Sequence, residues 1–173
     1  MRRDISMSNV AESQCDDPRI DMKLIGPFVD STVNVLKTMA GINPIPQAPR
    51  IKSTHEAYGD ITGIIGMAGD NVKGSFAVSF TEPCILKIMS NMLGENIDSL
   101  SGDVSDGVGE ITNIITGGAK AQLAEEGYTI GMATPTVISG KGHSVMHVSD
   151  QPVVVVPFET DVGPFFLEVN LVV

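Results

Sequence analysis

Basic residues are scarce in this sequence. Lys and Arg number 11 against 21 Asp and Glu, which leaves the 173-residue chain at a net charge of −10. A broad phosphate-binding surface needs the opposite balance, so nucleic-acid binding is excluded as a primary role. Tryptophan is absent and aromatics reach only 5%, leaving little from which to build base-stacking platforms. Cysteine occurs twice, as Cys15 in a polar leader and Cys84 in an apolar segment. That pattern indicates no disulfide framework and fits a reducing, cytoplasmic setting. No run approaches the ~18 apolar residues of a spanning helix, so no membrane role is expected. The opening "MRRDISMSNVAESQCDDPR" has early arginines but no apolar run behind them, so it reads as neither signal peptide nor anchor. Residues 1–20 are expected to be a flexible leader, and residues 21–173 a single domain.

What is present is ample core material: 42% of the residues are apolar and 18% charged. From Asp21, the residues Ile25, Phe28, Val29, Val33 and Leu36 recur at helical steps until Gly41 and Pro44 intervene. "GSFAVSF" alternates Phe76, Val78 and Phe80 with Ser75, Ala77 and Ser79, predicting a half-buried strand. A helix is predicted over Glu82–Leu93, closed by Gly94. A second half starts near Ser101 with another helix. Four extended runs follow: "TIGMATPTVIS", "HSVMHV", "PVVVVPF" and "FFLEVNLVV". Laying "VDSTVNVLKTMAG" (29–41) over "VGEITNIITGGAK" (108–120) puts Asn34 on Asn113 and Ser31 on Glu110. The expected fold is α+β, with pseudo-repeated halves at about 21–95 and 101–173 and helices layered on antiparallel sheet.

The stretch "DGVGEITNIITGGAK" is an unusual helix. Gly107, Gly109, Gly117 and Gly118 each cost about 1 kcal/mol against alanine inside a helix. Val104, Val108, Ile111, Ile115 and Gly118 follow steps of four and three and form a core-facing stripe. Asp106, Glu110, Asn113 and Gly117 follow the same steps two residues later, about 200° around the helix. They form an outward line, and the small neighbours Gly109, Thr112 and Thr116 leave it unshielded. A solvated helix face ordinarily carries Lys, Glu, Ala and Gln, whereas this one carries Gly, Thr, Asp and Asn.

Asp106-x3-Glu110-x2-Asn113, followed by Ile114, Ile115, Gly117, Gly118 and Ala119, resembles the signature helix of the CheX/CheC/FliY chemotaxis phosphatases. "FVDSTVNVLKTMAG" resembles the first helix of the CheX branch, and the likeness spans about residues 21–173. A single Glu-x2-Asn fits CheX rather than CheC, where both halves usually carry one. Ser31 stands where the first half would hold its acid. The resemblance implies a CheC-like fold and hydrolysis of the aspartyl phosphate on a phosphorylated CheY-type response regulator. It implies no cofactor of the chain's own, with Mg²⁺ carried by the regulator. It also implies a homodimer, for which the valine-rich 153–156 strand offers a candidate edge.

The residue types suit that chemistry. An acyl phosphate is already activated, so the missing element is a well-placed water. A neutral amide can orient water without repelling a phosphoryl group, as an orienting glutamine does in GTPases. Asn113 takes that role. Glu110 would repel phosphoryl oxygens and is instead assigned, as the resemblance implies, to the regulator's active-site lysine. Asp106 either aids docking or favours the positive helix N-terminus. Gly109, Thr112, Thr116 and Gly117 are expected to meet the partner. Two other readings stand beside this one: a receiver-binding module without catalysis, and a dimeric scaffold with a solvated polar helix. His143 and His147 sit four apart in an expected strand. A zinc site needs further ligands, so they read as exposed strand or loop histidines.

Overall fold

A computed structural model describes residues 17–173. Most of the expected leader, including Cys15, lies outside the described residues. The first periodic segment forms helix α1, Met22–Ala40. Its N-cap is Asp21, whose carboxylate accepts from the Lys23 amide at 2.9 Å. Gly41 ends it with φ 64°, the left-handed conformation that glycine adopts without a Cβ penalty. Helix α2 spans Glu82–Leu93, as the spacing predicts, with Pro83 in its first turn and Gly94 as its C-cap. Helix α3, Gly102–Glu125, follows after a short connection.

The strands are β1 (Ile45–Pro46), β2 (Arg50–Ile51), β3 (Ile61–Ala68), β4 (Lys73–Phe80), β5 (Gly131–Met132), β6 (Thr136–Ser139), β7 (Val154–Glu159) and β8 (Phe165–Val172). They form one sheet in the order β1-β7-β8-β4-β3-β5, with β2 also on β7 and β6 also on β3. Every pairing is antiparallel. Two long hairpins, β3–β4 and β7–β8, meet at the centre, where Lys73–Phe80 runs against Val172–Phe165. The short strands trade places between halves. β1 and β2 precede one hairpin but pair with β7 of the other, while β5 and β6 pair back onto β3. Neither half completes its sheet alone. The fold is α+β, with three helices among the described residues layered on an antiparallel sheet, as expected.

The helices cover one sheet face. Phe28 of α1 stacks on Phe76 of β4 at 5.1 Å between ring centroids, and Phe158 stacks on Phe165 at 4.7 Å. Ile85, Ile88, Ile111 and Ile115 complete this core.

The other sheet face departs from expectation. The β4 alternation predicts a half-buried strand, yet Ser75, Ala77 and Ser79 are as buried as the phenylalanines. An irregular cover crosses them. It contains the run expected as the strand "HSVMHV", which makes only the isolated bridge Glu56↔Ser144. His143 and His147 therefore lie in an irregular loop, one of the two places expected, but are partly buried rather than exposed. His143 Nε2 shares a hydrogen bond with Thr62 Oγ1 at 2.7 Å. His147 Nδ1 lies 2.7 Å from Ser75 Oγ, and its Nε2 donates to Glu168 Oε2 at 2.9 Å. Lys52 Nζ donates to the other Glu168 oxygen at 2.6 Å. Burial pushes the Glu168 carboxyl up, but the hydrogen bonds and charge of His147 and Lys52 outweigh it and hold the group below its ordinary value. Asn170 is anchored alongside, donating to the Gln151 carbonyl at 2.8 Å. Two polar residues of β8 thus pin the cover to the sheet.

The valine-rich strand is also corrected. β7 is not an edge, because β8 flanks it on one side and β1 with β2 on the other. Its Val154, Val155 and Val156 are buried, so they are unavailable for pairing with a second copy.

Candidate functional site

Helix α3 is seated by its apolar stripe. Val104, Val108, Ile111 and Ile115 have no exposed surface, and the helix presses close to β3. At Gly63 the approach is close enough that an added Cβ would run into the Thr112 side chain. Two interior glycines of α3 serve similar approaches. A Cβ on Gly107 would meet Met89 of α2, and one on Gly118 would meet Ser31 of α1. Ser31 Oγ also donates to the Ile115 carbonyl at 2.8 Å, tying the two helices together. Close packing therefore offsets part of the propensity cost of these glycines.

Two of the expected partner-facing residues do not face a partner. Thr112 and Thr116 are fully buried. Their hydroxyls donate to the carbonyls of Val108 and Thr112, each at 2.7 Å. A threonine satisfied by the carbonyl one turn back can turn inward without leaving an unpaired polar atom. Their spacing puts them beside the polar line, and their hydroxyl-to-backbone bonds let the apolar side of the helix extend over them.

The rest of the outward line stands clear. Asp106, Glu110 and Asn113 are exposed, and Gly109 and Gly117 are partly so. Nothing lies within 4 Å of a Cβ built on Gly117. Among the described residues neither Asp106 nor Glu110 takes part in an ion pair. Asp106, Gly109, Glu110 and Asn113, with Ser105, form one wall and the floor of an open groove of about 490 Å³. The facing wall is Ala133, Thr134 and Pro135, with Val137 behind them. Among the described residues, no basic side chain lines this groove.

That second wall has no signature in the sequence. Its residues sit inside an extended run, "TIGMATPTVIS", and meet the helix only because β5 and β6 both pair with β3. Pro135, which interrupts the run between the two short strands, is the one local mark of the break.

Chemically, the arrangement offers a neutral amide and a carboxylate one turn apart at the edge of an open trough. No nucleophile and base stand together there. Among the described residues, no three His, Cys, Asp or Glu side chains gather into a metal-binding group. No described helix is long and apolar enough to cross a membrane. The trough is open to solvent rather than enclosed, with Asp106, Glu110, Asn113, Ala133 and Thr134 exposed along it.

Residues 61–159 match the family model described as "Chemotaxis phosphatase CheX". No curated protein matches the sequence. A CheC-like superfamily protein from Shewanella sp. PV-4 superposes with a TM-score of 0.84 at 44% identity, over 89% of this chain and 100% of that one. The chemotaxis protein CheX from Vibrio vulnificus gives 0.82 at 47% identity, over 87% and 99%. The fold also extends to the CheX of a CheX–CheY–BeF3–Mg²⁺ complex from Borrelia burgdorferi. That match has a TM-score of 0.69 at 23% identity, over 87% and 99% of the two chains.

Proposed function

This chain belongs to the CheX family of chemotaxis phosphatases, and from that premise we propose that it hydrolyses the aspartyl phosphate of a CheY-type response regulator. The carrying observation is that Glu110 and Asn113 stand exposed together on the outward line of α3, lining an open groove. The Borrelia complex, which pairs a CheX of the same fold with CheY, supports a receiver domain as the partner.

In this reading Asn113 holds the attacking water. Its carboxamide accepts one water hydrogen and donates to a phosphoryl oxygen or to the water itself, and it brings no charge against the phosphoryl group. Glu110 takes hold of a cationic side chain on the receiver. Such a charge-assisted bond is worth about 1.5–3 kcal/mol, enough to set the register between the two molecules. Asp106, one turn earlier, extends the acidic line toward the helix N-terminus. The Mg²⁺ is part of the phosphorylated substrate. Little covalent chemistry falls to the protein, because the acyl phosphate is activated already, so catalysis is largely positioning. The same reading carries a cytoplasmic location and a homodimer. With β7 internal, self-association would have to use another surface, and light scattering on the purified protein tests it.

The decisive experiment mixes the protein with a phosphorylated CheY-type receiver and Mg²⁺ and follows phosphate release. Asn113→Ala is expected to lower the accelerated rate about a hundredfold, as displacement of a positioned group does, while affinity for the BeF3-loaded receiver stays within about threefold. An unchanged rate in this variant rejects the mechanism. Binding without acceleration by the wild-type protein would leave a receiver-binding module in its place.

A further inference from the structure

The two walls of the groove differ in charge and in origin. The α3 wall carries Asp106 and Glu110, and the facing wall is neutral. That neutral wall is a short arch, residues 133–135, held at both ends. Met132 pairs with Met67 before it and Thr136 with Ile64 after it. The Ala133 amide donates to the Gly66 carbonyl at 2.9 Å, and the Pro135 ring restricts the backbone further. Ala133 and Thr134 are exposed at its crest. Gly109 and Val137 face each other between the walls, and a Cβ built on Gly109 would stand 3.5 Å from Val137 Cγ2, an ordinary packing contact.

This charge distribution limits what enters. Among the described residues the two carboxylates of the groove have no cation beside them, so they attract a basic side chain of whatever docks there. Contacts at the reacting centre discriminate poorly among receivers, because each phosphorylated receiver presents the same functional groups there. Discrimination needs a surface that meets the partner beside that centre. The arch is such a surface: rigid, exposed, uncharged, and across the groove from Glu110 and Asn113.

We infer that Thr134, held in place by the arch and by Pro135, is a specificity-determining residue that selects among receiver domains by contacting the rim of the phosphorylated site. It takes no part in the hydrolysis itself. The inference rests on the receiver-phosphatase reading above.

The test uses the full chain with Thr134→Trp and Thr134→Ser, titrated against several CheY-type receivers loaded with BeF3 and Mg²⁺. Steady-state dephosphorylation of the same receivers is measured alongside. Thr134→Trp is expected to raise Kd and KM about tenfold and to change the order of preference among receivers. Its kcat at saturation should stay within about threefold of wild type, and its melting temperature should be unchanged, because Thr134 is exposed. Thr134→Ser should recover the wild-type order. Unchanged Kd, KM and preference in Thr134→Trp, or a fall confined to kcat, overturns the inference while leaving the phosphatase reading intact. If no receiver is dephosphorylated but loaded receivers bind and Thr134→Trp weakens them, hydrolysis fails and the arch assignment stands. Absence of any receiver binding by the wild-type chain overturns both.

Discussion

Glu110 and Glu168 each follow a polar–apolar pattern that would place them at the surface, and they end in opposite surroundings. Glu110 is exposed on α3 and has no ion-pair partner among the described residues. Glu168 on β8 has no exposed surface and is gripped by Lys52 and His147. The difference separates two uses of a carboxylate. A buried charge must be matched within the chain, because an unmatched one would cost several kcal/mol. A solvated charge needs no such match and remains free for another molecule. Glu168 therefore belongs to the architecture, and Glu110 is left for the encounter proposed above.

That contrast can be broken in four ways. The largest effect is expected from Lys52→Met. It leaves Glu168 with one partner in a dry layer and should cost about 3–5 kcal/mol in urea unfolding. A loss below about 1 kcal/mol would mean that water reaches Glu168 after all. Glu110→Ala should behave in the reverse manner. Unfolding free energy should move by less than about 0.5 kcal/mol, as for exposed positions generally. KM for a phosphorylated receiver should rise by about 1.5–3 kcal/mol in equivalent free energy, roughly ten- to a hundredfold. Stability loss without a kinetic effect would assign Glu110 to the fold.

The third effect is a pH dependence. The folded Glu168 carboxyl titrates below its ordinary 4.5. Its contribution is therefore present above the unfolded value and fades as pH falls through the lower, folded one. The urea midpoint should drop on acidification below about pH 4.5, and Glu168→Gln should show a flatter profile in that window. Equal slopes would place the acid sensitivity elsewhere. The smallest effect compares adjacent glycines. Gly117→Ala gains helix propensity in open space and should stabilise by up to about 1 kcal/mol. Gly118→Ala forces Ser31 aside and should destabilise by about 1 kcal/mol or more, read as a lower melting temperature. Stabilisation by both would show that α1 can yield.

Much of this was legible locally. The α1 start at Asp21 and its end at Gly41, the bounds of α2, and the outward line of Asp106, Glu110 and Asn113 follow from caps and from a period of 3.6. These signals are short-range, so they survive in the linear order of residues. The overlay of the two helices is instructive where it diverges. Asn34 and Asn113 are both exposed, but Ser31 is buried against α3 where Glu110 meets solvent. An acid at position 31 would be trapped in a helix–helix contact, which gives a physical reason for its absence there.

The errors share a cause. Thr112 and Thr116 read as surface because a hydroxyl counts as polar until its bond to the carbonyl one turn back is known. His147 reads as exposed because a strand's second face is assigned to water unless something covers it. The cover comes from chain segments far away in sequence. The valine strand passed for an edge because nothing local tells that β1 and β2 will pair with it.

Residue order alone determined the helices, their caps, the acidic balance and the pairing of acid with amide on one outward stripe, since each depends on neighbours within a turn or two. Only the folded chain decided which strands are internal, which polar residues are sealed into the second layer, and that a neutral arch from residues 133–135 faces the acidic stripe. Those outcomes depend on strand pairing between residues about 70 to 110 positions apart, which no local pattern encodes.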